Sequence, residues 1–108
     1  MKKITSRLKK RIIIQEIKEI SDNSGGYTIS WINKIILWAE IKTVSGYKKI
    51  YADKISDFVT HLFTTRYISD ITPKMRIFYD DRVFSIKYVI NFMEKNELLQ
   101  ILTEEEIS

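Results

Sequence analysis

Ile35-Ile36-Leu37-Trp38-Ala39-Glu40-Ile41-Lys42 is the stretch on which the fold turns. Ile35, Leu37, Ala39 and Ile41 fall on one side of a period-two pattern, Ile36, Trp38, Glu40 and Lys42 on the other. Successive strand side chains point to opposite faces, so one face is wholly apolar and fit for burial. The other face is mixed, and Trp38 on it needs cover of its own. The β-like stretch reaches back to Tyr27 and forward to Thr43. Upstream, Ile12-Ile13-Ile14-Gln15-Glu16-Ile17 is a β-branched run that reads as a second strand. Ser21-Asp22-Asn23-Ser24-Gly25-Gly26 separates the two and predicts a surface loop, because the Gly pair enters φ > 0 freely.

Downstream, the chain continues as short strands punctuated by turns. Thr60 to Tyr67 is Thr-rich and aromatic, as strands prefer. Asp70-Ile71-Thr72-Pro73 is a turn, since Pro fixes its own φ and pushes Thr72 to an extended conformation. Met75–Tyr79 and Val83–Phe92 read as strands joined by a tight Asp80-Asp81-Arg82 turn. Glu94-Lys95-Asn96-Glu97 is a polar turn before a last strand, Leu98–Leu102. Residues 104–108, with Glu104-Glu105-Glu106, are expected to form a fraying acidic tail. Residues 44–59 differ: Tyr47, Ile50, Tyr51, Ile55, Phe58 and Val59 fall at helical spacing, which predicts a long loop or short helix. The expected fold class is mainly β, a single domain over 1–108. Five or six short strands with turns between them suggest a small antiparallel barrel or sandwich.

The chain has 108 residues, 44% of them hydrophobic and 30% charged, with 20 isoleucines, which excludes a disordered or collagen-like polymer. It has no cysteine, which removes disulfide scaffolds, thiol catalysis and Cys-based metal sites. No apolar run approaches the roughly 18 residues of a membrane-spanning helix, so no membrane partner is expected. Met1-Lys2-Lys3 leads into no apolar stretch of secretory type. The net charge of +4 divides unevenly. Residues 1–54 carry 12 basic and 5 acidic groups, and residues 55–108 carry 6 and 9.

Catalytic constellations are hard to find. His61 is the only histidine. It reads as a strand residue on a solvent or packing face, without the Gly-x-Ser-x-Gly elbow that would support a triad. Asp80 and Asp81 are neighbours in a turn and point apart, whereas glycosidase chemistry needs two carboxylates facing one substrate. Gly25-Gly26 lacks the pattern of a phosphate loop. No catalytic residue, metal or cofactor is expected. The cations carry more. Arg7, Lys9, Lys10 and Arg11 form a basic edge that either contacts phosphates or guards a solvated strand edge. Tyr47, Lys48, Lys49, Tyr51 and Lys54 interleave aromatics with cations, as single-strand binders do, although a half-buried helix or a partner-packed loop reads better. Lys48, Lys49 and Lys54 are the candidate channel-, DNA- or partner-facing residues. Trp31, Trp38, Tyr67, Phe84 and Ile86 are assigned to packing.

Several motifs, taken in order, resemble phage head–tail joining (adaptor, head-closure or stopper) proteins. Ser6-Arg7-Leu8-Lys9-Lys10-Arg11-Ile12-Ile13-Ile14-Gln15 is similar to that family's opening, followed here as there by a Gly-Gly loop and Trp31. Trp38-Ala39-Glu40-Ile41-Lys42-Thr43-Val44-Ser45-Gly46 resembles its Trp-Ala block. The most specific part runs from Thr60-His61 through Arg66-Tyr67 and Asp70-Ile71-Thr72-Pro73-Lys74-Met75-Arg76-Ile77 to Arg82-Val83-Phe84-Ser85-Ile86. Asp81 stands where the family often has Gly, and Thr43 and Val44 replace its Pro-Leu.

The resemblance covers roughly residues 6–103. It implies a non-enzymatic β-barrel, made in the bacterial host cytoplasm and placed at the head–tail interface of a virion or prophage. It also implies a homo-oligomeric ring between a portal or adaptor ring and a tail-end protein, monomeric before assembly in some relatives. Such a ring closes the DNA-filled head and offers the tail a docking surface. Residues 46–58 lie where relatives carry a loop into the channel, with non-specific DNA contact. The competing expectation is a small OB- or SH3-like nucleic-acid-binding barrel, motivated by the basic first half.

Overall fold

The computed structural model describes residues 7–51 and 54–107, with 45–51 and 54–58 described in backbone only. Six antiparallel strands form one closed sheet: β1 (Lys10–Ser21), β2 (Tyr27–Tyr51), β3 (Lys54–Arg66), β4 (Arg76–Tyr79), β5 (Arg82–Asn91) and β6 (Leu98–Glu105). Around the barrel the order is β1-β2-β3-β6-β5-β4, with β4 returning to β1. Closure removes most of the sheet edges that a small domain cannot otherwise protect.

The interior follows from alternation. Ile12 and Ile14 from β1, Ala39 from β2, Phe63 from β3, Ile77 from β4, Phe84 and Ile86 from β5, and Leu99 and Ile101 from β6 are buried together. Phe63 and Phe84 meet edge to face at 4.9 Å. Their strands flank β6 in the sheet, so this contact reaches over β6 inside the barrel. The two buried threonines keep their hydroxyls satisfied: Thr103 donates to the His61 carbonyl at 3.0 Å and Thr65 to the Arg66 carbonyl at 3.0 Å.

Two bulges break the alternation. Ile14 pairs with Ile35 but Gln15 with Asn33, leaving Lys34 as the extra residue. Ile86 pairs with Thr103 but Tyr88 with Leu102, leaving Lys87 extra. A bulge shifts the phase of everything beyond it. On β5, Phe84 and Ile86 point inward, and after Lys87 it is Val89 that packs on the core while Ile90 is exposed. Both bulge lysines meet a glutamate on the opposing strand, Lys34–Glu16 and Lys87–Glu104, each at 3.6 Å.

The turns match their chemistry. Asp80 and Asp81 have φ of 56° and 60°, so the β4–β5 hairpin closes on two left-handed residues, as a type I′ turn requires. In the β1–β2 turn, Asp22 accepts the amides of Ser24 at 2.9 Å and Gly26 at 3.0 Å. These bonds hold its carboxyl below the usual carboxylate range, and Gly25 takes φ +87°.

Two expectations need correction. Residues 44–51 and 54–59 are neither helix nor loop but the outer part of the β2–β3 hairpin. Tyr47 pairs with Val59, Lys48 with Phe58, Ile50 with Ile55 and Tyr51 with Lys54. The ladder slips between Thr43 and Tyr47 and again between Lys48 and Ile50, and those slips turn a period-two pattern into spacings of three and four. Nor are residues 104–106 a loose tail. Glu104 pairs with Ser85 and Glu105 with Phe84, and the Glu106 amide donates to the Val83 carbonyl at 2.8 Å.

Candidate assembly surfaces

Strand β2 has 25 residues, about 80 Å if fully extended at ~3.3 Å per residue. The molecule's longest dimension is 55 Å, so β2 bends as it passes through the barrel wall. Its two ends belong to two hairpins that outreach the barrel, β1–β2 and β2–β3. The β1–β2 arm begins where β1 leaves β4, because that ladder holds only Ile13 to Gln15. The root of the arm is pinned by side chains. Arg76 Nε donates to Gln15 Oε1 at 2.7 Å, Gln15 Nε2 donates to Asn33 Oδ1 at 2.9 Å, and the Arg76 guanidinium lies 4.2 Å over the Trp31 ring.

Beyond the root the arm is apolar on its outer face. The odd residues of β1 continue the barrel's outside, and their partners are Trp38, Ile36, Asn33, Trp31, Ile29 and Tyr27. Ile17 is 48% exposed, Ile29 63%, Tyr27 70%, Ile36 54% and Trp38 56%. Trp38 and Tyr67 were expected in the packing, yet both are exposed: Trp38 faces outward opposite Arg11, and Tyr67 follows the end of β3. Phe84 and Ile86 are core as expected, and Trp31 is half-buried under Arg76. The reading from sequence missed Ile17, Tyr27 and Ile29 as surface residues, while Ile36 lies on the mixed face where the alternation put it. The spacing of Tyr27, Ile29 and Trp31 was the signal, but composition alone cannot tell an outward apolar face from an inward one.

Charge is separated across the barrel. Lys10 and Arg11 open β1, and Lys9 before them is exposed. Arg7 lies 3.8 Å from Glu40 across a shallow groove that also holds Lys42, so this member of the basic edge is partly offset. β6 stands three places from β1 in the six-stranded ring, on the opposite wall, where Lys87 and Arg82 offset Glu104 and Glu105 and leave Glu106 and the neighbouring Asp80–Asp81 turn as the acidic excess. Lys48 sits in β2 opposite Phe58, Lys49 lies beside the register slip, and Lys54 opens β3 opposite Tyr51. All three therefore belong to the far end of the β2–β3 hairpin.

His61 lies in the wall beside Arg82 and Glu105 and is nearly buried. Arg82 donates to Glu105 at 2.9 and 3.1 Å and points Nη2 at His61 Nε2, 3.4 Å away. Arginine is only a donor, so Nε2 must accept. The imidazole proton then sits on Nδ1 and donates to Thr60 Oγ1 at 2.9 Å, which also accepts the Glu105 amide at 2.8 Å. Burial pushes the His61 pKa below its ordinary value, with Glu105 opposing and Arg82 reinforcing the shift. The bond from Arg82 lowers the Glu105 carboxyl in turn. Thr60 is held as an acceptor, not as an activated nucleophile, so the group ties β3, β5 and β6 together. Among the described residues no three His, Asp or Glu side chains gather as a metal site.

These features define a small closed β-barrel of six strands with two projecting hairpins. The chain belongs to the phage head completion protein family, whose model matches residues 4–106. It is thus a structural protein of the phage head. Among solved structures, it is similar to a protein from Shigella flexneri 2a solved in solution, with 26% identity and a TM-score of 0.73 over 98% of this chain and 99% of that one. It also shares its fold with a chain in the virion of a native gene transfer agent particle, with 22% identity and a TM-score of 0.62 over 91% and 94% of the two chains. No curated protein matches it.

Proposed function

We propose that this chain is one subunit of a ring at the head–tail connector, closing the DNA-filled head and presenting the surface on which the tail docks. The observation that carries this reading is the placement of unlike charge on opposite walls. The basic start of β1 and the acidic end of β6 stand three strands apart around the barrel. A ring subunit needs two different, complementary faces, because a heterologous contact repeated with a closing rotation makes a ring. Family membership supports the same reading. Within that ring, the portal or adaptor would lie on one side and the tail-end protein on the other.

The β2–β3 hairpin is the element proposed to enter the channel. Lys48, Lys49 and Lys54 would there meet DNA phosphates without reading sequence, since cation–phosphate contact needs only charge. The test replaces all three with Ala in a phage carrying this gene. The expected result is heads that assemble but lose packaged DNA, while the purified variant keeps its β-rich circular dichroism. Heads that retain DNA as well as the wild type would overturn the channel role. Heads that close and join tails with the gene deleted would overturn the connector reading.

A further inference from the structure

Trp38 is left without cover on the outer wall, 56% exposed on a strand that runs through the barrel. Its neighbours across the sheet are both arginines. Arg11 pairs with it directly on β1. Arg66 stands on its other side, one step past the Ala39–Thr65 pair that ends the β2–β3 ladder. A strand spacing of about 4.8 Å puts the two arginine backbones about 10 Å apart, with the indole between them. All three side chains point outward, since Ile12, Ala39 and Thr65 beside them are the buried ones. Among the described residues neither Arg11 nor Arg66 has a carboxylate in ion-pair range. Glu40, two residues along β2 on the same face, is already met by Arg7. A recess of about 300 Å³ opens beside the indole, walled by Leu8, Ile36, Leu37 and Arg66.

An aromatic ring between two guanidiniums suits a ligand that alternates flat rings with negative charge. A single-stranded nucleic acid is such a ligand: its bases stack on aromatic side chains and its phosphates take cations, whatever the sequence. A duplex keeps its bases stacked on one another and offers the indole none. A peptide of acidic residues would use the arginines and leave the indole and the recess unfilled. We propose that the outer wall at Arg11, Trp38 and Arg66 binds single-stranded nucleic acid, a base lying on Trp38 and the flanking phosphates on the two arginines. The site is separate from the β2–β3 hairpin and does not rest on the connector reading. In the ring proposed above, Arg11 would face a neighbour's acidic wall, so the strand is held by the subunit before assembly.

The test is fluorescence anisotropy of the purified full chain with labelled oligothymidine of about 12 nucleotides, beside oligouridine, a duplex of equal length and polyglutamate. At low salt, wild type is expected to bind single strands in the roughly 1–100 µM range of sequence-independent contacts. Oligothymidine binding assigns DNA and oligouridine binding alone assigns RNA; either supports the site. Trp38→Ala should weaken binding about tenfold, and Trp38→Phe much less, with thermal melts within a few degrees of wild type. Arg11→Ala and Arg66→Ala should each reduce the slope of log K against log salt by about 0.7. Lys74→Ala, which removes a cation beside β4, should leave that slope unchanged. No binding at about 100 µM protein overturns the proposal. So does duplex or polyglutamate binding as tight as the single strand. Binding that survives Trp38→Ala but is lost when Lys48, Lys49 and Lys54 are replaced with Ala belongs to the hairpin, and overturns the wall site. DNA retention in heads tests the connector reading separately, and neither result decides the other.

Discussion

Phe84→Ala tests how tightly the barrel interior is packed. Phe84 is fully buried and touches Phe63 at 4.9 Å, His61 at 5.1 Å and Arg82 at 5.0 Å. Returning its removed atoms to water costs about 2 kcal/mol. A cavity of about 80 Å³, at ~24 cal/mol per Å³, costs about 2 more. The expected loss is therefore about 4 kcal/mol, a large share of the 5–15 kcal/mol typical of a domain. With a urea slope of roughly 1.3 kcal/mol per molar, the unfolding midpoint should fall by about 3 M. Phe84→Leu should cost only about 1 kcal/mol, because most of the volume remains. Phe63 lies on β3 and Phe84 on β5, with β6 between them, so they touch only where the curl of the sheet folds their inward side chains together over β6. A double-mutant cycle with Phe63→Leu should accordingly give a coupling of about 1 kcal/mol. A Phe84→Ala loss under about 1 kcal/mol at unchanged slope, or a coupling of zero, would refute the packed core.

Two further substitutions probe the wall and the turn. His61 is held below its ordinary pKa of 6.5, so the unfolded chain binds more protons as pH falls through that value. Stability should drop from about pH 6.5 downward until the folded His61 also titrates. Glu105, lowered from 4.5, adds a second loss below that value. Urea midpoints across this range should fall in wild type, and the upper part of the fall should vanish in His61→Gln; equal slopes in both would exclude His61 as the cause. Asp81→Gly removes a side chain from a residue at φ 60° in a two-residue turn that prefers Asp-Gly, and should raise stability by about 0.5–1 kcal/mol. A thermal melt that does not rise would count against the left-handed geometry at Asp81.

Much of the barrel was legible in the chain. Ile12–Ile17 and Ile35–Ile41 lie on strands, Thr60–Tyr67 and Val83–Phe92 each overrun theirs by one residue, and the turns at Ser21–Gly26 and Asp80–Asp81 sit where their residue types demand φ > 0. The basic edge and the acidic end were also readable as runs of charge. Residues 44–59 were not, because register slips in β2 and β3 broke the alternation into helix-like spacings. The outward face of the arm was missed for a related reason. The bulge at Lys34 moves the outer set from Ile36 and Trp38 to Trp31, Ile29 and Tyr27, and nothing in the local residue order marks which residue is the extra one.

By itself, then, the sequence determined that the chain is mainly β, where most of its strands and turns fall, and that one half is basic and the other weakly acidic. Alternation, β-branched content and turn chemistry are local properties, and local order carries them. Which residues pair was decided only in three dimensions. The short β1–β4 seam closes the barrel, β6 lies opposite β1, Glu104–Glu106 join the sheet, and Tyr27–Trp38 is left with an open edge. Each of these depends on register between strands distant in sequence. A single bulge changes the face of every residue beyond it at little local cost, and only the packing of the whole barrel selects among the alternatives.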